Sequence, residues 1–133
     1  MAGHATIRIV GPAEFIADTA QTPGSERLAA IAPGHADSAL WGGLFVVEPG
    51  ARTGIHHHGD QQTVAYVLQG VCEIRWGAHG EYAATAKAGD FIHVPAHLPH
   101  MEINPSGSDS FLWVVVRSTA VPIVVNLPDD TWP

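Results

Sequence analysis

Residues 50–70 read GARTGIHHHGDQQTVAYVLQG. Three histidines stand just before a strand-like run, Thr63–Leu68, that closes at Gln69-Gly70. Along a strand, residues two apart share a face. His56 and His58 therefore point one way and His57 the other. Two imidazoles on one face can grip one metal ion, and imidazole suits Zn, Cu, Fe and Ni alike. Two ligands make a weak site, so others must converge from elsewhere. Asp60, Gln61 and Gln62 follow at once, and His100 with Glu102 repeats the two-residue spacing further on. A histidine run taken alone also fits a solvated loop. The second group, His93, His97 and His100 beside Pro95 and Pro99, argues for the metal.

Around this stretch the chain reads as short strands broken by turns. Leu44–Val47 ends at Pro49-Gly50, Val71–Trp76 continues after Gly70, and Tyr82–Ala86 precedes the Ala88-Gly89-Asp90 turn. Phe91–Val94 stops at Pro95, and Met101–Ile103 and the apolar Phe111–Arg117 follow. Val121–Leu127 is the last candidate, with Pro122 tolerated only at a strand start or edge. Upstream, Ile7, Ile9 and Val10 fit a short strand, Pro12–Phe15 a helical turn and Thr22-Pro23-Gly24 a turn. Ser25 could cap a short helix through Leu28 to Ile31, and a strand over Arg27–Ile31 is equally allowed. The tail from Asp129 to Pro133 reads as loose. The expectation is an all-β sandwich or small barrel. It is a single domain over residues 1–133, with an N-terminal arm to residue 39 and the barrel over about 40–127.

Composition narrows the partners. The formal charge of -7, with six scattered basic residues, argues against nucleic acid. No run approaches the roughly 18 apolar residues of a membrane helix. No secretory leader is visible, and the single cysteine, Cys72, has no internal partner. These features suit the cytoplasm. Of nine histidines, seven fall between His56 and His100, which singles out that window.

The spacings resemble those of the cupin superfamily. Gly50, five residues, His56-His57-His58 and Gly70 fit the first cupin motif. Gly89, Pro95, His100 and Asn104 fit the second at every spacing, with His97 in place of its glycine. The whole resembles small bacterial one-domain cupins. The resemblance implies a double-stranded β-helix, or jelly roll, holding one divalent ion (Fe, Zn, Ni or Mn). It also implies pairing as homodimers, here through the apolar stretches at Ile7–Val10 and Val121–Leu127.

One departure stands out. The glutamate of the first motif is missing, and its place falls on Gln62 or Thr63 according to how the spacing is counted. The count of six to Gly70 favours Thr63, whereas an amide oxygen is the better ligand. The expected ligand set is thus His56, His58, His100 and Gln62, with Glu102 as competing ligand or general base. His57, His93 and His97 are expected around the site or at its rim. Most aromatic side chains are expected in the core, and Cys72 as a buried inert thiol. The resemblance implies a metal-dependent enzyme acting on a small organic molecule, aromatic or polyketide among the options. The reaction would be dioxygenation, or Lewis-acid cyclisation or isomerisation. A non-catalytic cupin that binds or senses a small ligand is the alternative.

Overall fold

A computed structural model describes residues 6–19 and 25–133. After a 3-10 turn at Pro12–Glu14, the chain runs through eleven strands among the described residues. They are β1 (Ile16–Thr19), β2 (Ser25–Ile31), β3 (Trp41–Val47), β4 (His56–His57), β5 (Thr63–Gln69) and β6 (Val71–Trp76). Then come β7 (Tyr82–Lys87), β8 (Phe91–Val94), β9 (His100–Ile103), β10 (Phe111–Arg117) and β11 (Val125–Asn126). Two antiparallel sheets result, ordered β1-β2-β3-β10-β5-β8 and β11-β4-β9-β6-β7. This is the all-β sandwich that the strand spacing predicts and the jelly roll that the resemblance implies. No helix among the described residues is long and apolar enough to cross a membrane.

The pleat decides what fills the interior. On β10, Phe111, Trp113, Val115 and Arg117 are buried and alternate with outward Leu112, Val114 and Val116. On β5, Thr63, Ala65 and Val67 are buried between exposed Val64, Tyr66 and Leu68. Trp41, Phe45 and Val47 of β3 complete one apolar cluster with these residues and Cys72. Each such large side chain contributes about 1.5–3 kcal/mol by leaving water. The cluster fills one end of the barrel and leaves the polar residues at the other. Tyr66 and Phe91, by contrast, pair on the outer surface, with rings 4.9 Å apart.

Several local expectations change. Of the two readings open at Ser25, the strand holds and the helix cap does not, because pairing of Ser25–Ile31 with β3 outweighs the weak local capping signal. Ile7 to Val10 forms no strand among the described residues, and Ile7 and Ile9 stand exposed. Within Val121–Leu127 only Val125–Asn126 is strand, since Pro122 has no N–H and the N–H of Ile123 donates to Gln61 Oε1. The turn expected at Thr22-Pro23-Gly24 lies outside the described residues.

The tail is anchored rather than loose. Trp132 is buried against Ile55 and Met101 on the outer side of the second sheet. Its Nε1 donates to the Gly77 carbonyl at 3.1 Å, and the Arg75 guanidinium lies 5.3 Å from its ring centre. Gly80 accommodates the ring. Its φ is +66°, and an added Cβ would fall 2.5 Å from the indole. Trp132→Ala should therefore cost about 3 kcal/mol of unfolding free energy. Urea denaturation measures this, and a change under about 0.5 kcal/mol, typical of a surface site, would contradict the anchor.

Candidate metal centre

His56 on β4 stands directly opposite His100 on β9, so two imidazoles meet across one strand pair. His58 follows two residues after His56 and returns to the same face. The ring centres lie 4.3 Å apart for His56 and His100, and 5.1 Å from each of these to His58. All three side chains are buried. One nitrogen from each falls within 4.8 Å of the others, a cluster that could hold a metal ion.

The far side of each ring is fixed. Nδ1 of His56 donates to the Gly54 carbonyl at 2.7 Å, Nδ1 of His58 to Ile123 at 2.7 Å, and Nδ1 of His100 to Leu98 at 2.8 Å. A carbonyl only accepts, so each Nδ1 carries the proton and each Nε2 presents a lone pair. Nε2 of His56 is buried with no hydrogen-bond partner. A buried acceptor left unmade costs on the order of 1–3 kcal/mol unless something binds it. The donor set and tautomers suit a divalent ion.

Electrostatics agree. Burial, then the nearby Arg117, His100 and His56, push the His58 imidazole down to about 2. Burial also lowers His100, against the pull of Glu102. Both rings are therefore neutral near pH 7. Glu102 lies beside them, with Oε2 3.7 Å from His56 Nε2 and Oε1 3.8 Å from His100 Nε2. Burial alone would raise its carboxyl, but His56, His100, a hydrogen bond from Thr53 and Arg117 together hold it below the usual range. The Thr53 hydroxyl donates to Glu102 Oε2 and accepts from the Glu102 N–H, both at 2.9 Å.

Gln62, expected as the fourth ligand, is not brought to this cluster. The pleat turns Gln61 and Thr63 inward and Gln62 outward, where its Oε1 accepts from His93 Nε2 at 2.8 Å. Thr63 takes the inward place, in line with the six-residue count to Gly70, and its hydroxyl accepts from Arg117 Nη1 at 2.6 Å. Glu102 is the carboxylate that the fold sets beside the histidines.

The neighbouring histidines lie around the site. His57 points away from His56 and His58, and its ring centre is 6.0 Å from that of His97. His97 pairs with Asp60 at 2.6 Å on the surface. It keeps the left-handed backbone that the motif's glycine would supply, with φ at +60°. For a residue with a Cβ this costs on the order of 1–3 kcal/mol. His93 lines a cavity of about 330 Å³ walled by Ile74, Trp76, Ala86, Ile92 and Val94, with His100 at its buried end. Asn104 of the second motif is structural. Its amide donates to Val47 and Asp109 carbonyls and its Oδ1 accepts from Ser106. Cys72 is buried, and its thiol is pushed up to about 12 by burial first, so it stays protonated and inert.

Two contributors escape a reading of motifs alone. Gln61 is fully buried, donates to Thr119 Oγ1 at 2.6 Å and to the Val121 carbonyl at 3.0 Å, and accepts from Ile123 N. It thereby places the Ile123 carbonyl that orients His58. Alternation back from Thr63 was the signal that could have found it. Arg117 is the second, a cation at the inward end of an otherwise apolar strand.

The comparisons with known proteins fit this geometry. Residues 43–117 match the family model described as Cupin domain. No curated protein matches the sequence. The chain is similar in structure to the polyketide cyclase RemF from Streptomyces resistomycificus, with a TM-score of 0.74 at 20% identity, covering 96% of this chain and 91% of that one. It is also similar to the S161A mutant of Bacillus subtilis oxalate decarboxylase, with a TM-score of 0.69 at 21% identity, covering 83% of this chain. Here the match spans only 30% of the other chain. A further oxalate decarboxylase structure, from work on its Mn(II) centres, aligns with a TM-score of 0.67 at 22% identity over 80% of this chain and 29% of that one. At such identities the structural likeness shows the fold alone. The family model spans more than half of the sequence, and with it the chain belongs to the cupin domain family.

Proposed function

We propose that this protein is a metal-dependent enzyme acting on a small organic substrate. The observation that carries the reading is the set of three Nδ1–H bonds to carbonyls, which leaves the Nε2 lone pairs of three buried histidines free in a cluster whose ligand atoms lie within 4.8 Å of one another. His56, His58 and His100 would hold the ion, with Glu102 as the carboxylate of the set. An ion there supplies Lewis-acid activation of a carbonyl or enolate oxygen or, as iron, oxygen chemistry.

The chain's own residues define the rest. Glu102, with its oxygens 3.7 and 3.8 Å from His56 and His100 and its Oε2 held by Thr53, supports a role as ligand and charge-balancing group in this reading. The cavity beside His100 is walled mainly by apolar side chains. Its size suits a planar or aromatic molecule with one oxygen directed at the histidines. The structural likeness to a polyketide cyclase supports cyclisation or isomerisation of such a molecule as the reaction class.

The protein is further proposed to act as a homodimer. Outward Val64, Tyr66, Leu68, Val116 and Phe91 expose apolar surface on the first sheet, and Ile7 and Ile9 are exposed on the arm. Light scattering at micromolar concentration should give twice the 14.1 kDa chain mass, and a monomer would refute the dimer.

Metal content tests the main reading. The tag-free protein, purified anaerobically, should hold about one equivalent of a divalent metal by mass spectrometry. His56→Ala/His58→Ala should abolish it, Glu102→Gln should lower it, and Gln62→Ala should leave it unchanged. Absence of metal in the wild type after supplementation would replace the enzyme by a ligand-binding cupin.

The pH response is a second test. The imidazoles of His58 and His100 titrate below the ordinary 6.5 when folded. Under pH 6.5 the unfolded chain therefore binds protons that the folded chain refuses. Stability of the metal-free protein should be full above that pH and decline as the pH falls, by roughly 1 kcal/mol per pH unit for His58 and in the same direction for His100. Thermal unfolding between about pH 7.5 and 5.5 would show it, and a flat profile would contradict the buried neutral rings.

A further inference from the structure

Two of the three imidazoles are oriented from within their own stretch of chain. Nδ1 of His56 donates to the carbonyl two residues back, at Gly54, and Nδ1 of His100 to the one at Leu98. His58 differs, because its acceptor is the Ile123 carbonyl, 65 residues further on. The orientation of this one ring depends on where a remote segment is seated.

That segment, residues 118–123, is a strap with no strand of its own. Its apolar side chains do little to hold it, since Val121 is 64% exposed and Ile123 37%. Hydrogen bonds hold it instead. The main chain of Gln62 donates to Ser118 Oγ and accepts from the Ser118 N–H. The buried side chain of Gln61 donates to Thr119 Oγ1 at 2.6 Å and to the Val121 carbonyl at 3.0 Å, and accepts from the Ile123 N–H at 2.9 Å. It thus grips the strap on both sides of Pro122, which has no N–H to offer, and holds the very residue that orients His58. An amide suits the task, because it carries donor and acceptor in one planar group.

We propose that Gln61 is a positioning residue of the metal centre and makes His58 its conditional ligand. With the strap seated, the Ile123 carbonyl fixes the Nδ1–H tautomer of His58. With the strap released, that ring alone turns free. His56, His100 and Glu102 keep their places, held by Gly54, Leu98 and Thr53. The proposal rests on the metal-dependent reading above and names what governs retention of an ion there. Two imidazoles and a carboxylate make a weaker site than three imidazoles and a carboxylate.

Nitrogen NMR of isotopically labelled imidazoles reads the tautomer of each ring in the metal-free chain, with His56→Asn, His58→Asn and His100→Asn assigning the signals. Gln61→Met keeps the side-chain volume and removes all three bonds. Thr119→Val removes one acceptor at an exposed position, and Thr119→Ser keeps the hydroxyl. The Nδ1–H of His58 should exchange with water about tenfold faster in Gln61→Met and about threefold faster in Thr119→Val. His56 and His100 should be unchanged, and Thr119→Ser should match the wild type. Zinc-loaded protein should release zinc to a chelator faster by the same factors. If Gln61→Met does not fold, the two Thr119 variants decide. An unchanged His58 signal would overturn the proposal. So would equal loosening of all three rings, which would make Gln61 a support of the whole fold, or zinc release that stays unchanged while His58 loosens. A wild-type chain that holds no zinc overturns the functional reading instead, and the ring signals, read without metal, still judge Gln61.

Discussion

Everything at the centre of this protein depends on which nitrogen of each histidine bears the proton. Three backbone carbonyls, at Gly54, Leu98 and Ile123, hold Nδ1–H and turn Nε2 inward. A ring free to rotate would offer a metal only a fraction of its conformers, and a ring protonated on Nε2 would repel it. The carbonyls are well placed because each lies in a loop just before a strand (β4, β9 or β11) that sheet pairing holds. The fold thus removes the entropy of ring orientation before any ion arrives.

The site sits at a boundary between two kinds of interior. The end of the barrel lined by Phe45, Phe111, Trp113 and Val115 is apolar and close-packed. The other end holds three imidazoles, a carboxylate and a guanidinium, nearly all out of water. Charges in such a place interact more strongly than at a surface. That explains why Glu102 stays ionised despite complete burial, and why the Arg117 side chain, pulled down to about 10 mainly by burial, still keeps its proton at neutral pH.

Much of the barrel is legible in the sequence because turns and alternation are local signals. Gly70 and Gly89 mark real turns with positive φ, and the strands between them fall where alternation puts them. The three histidines are legible because their spacing coincides with the pleat. Gln62 shows the limit. Its chemistry suits a ligand, but strand register decides direction, and register places Thr63 inward. Ser25 and Trp132 show another limit. Whether Ser25 caps a helix depends on a partner strand, and whether a tail is loose depends on a groove built by Gly77, Gly80 and Arg75. Arg117 is hidden for a related reason. A charge at a strand end reads as surface until the neighbouring strands cover it.

The bond between His58 and the Ile123 carbonyl spans 65 residues. Its acceptor is held by Gln61, which grips the segment from Thr119 to Ile123. As the chain leaves the ribosome, His56, His58 and His100 are all made before that segment exists. His58 therefore has no fixed orientation until residues 119–123 have emerged and docked. Any capture of an ion by an oriented set would follow that docking. An ion met by the nascent chain finds loose imidazoles, and one met by the finished protein finds an oriented set.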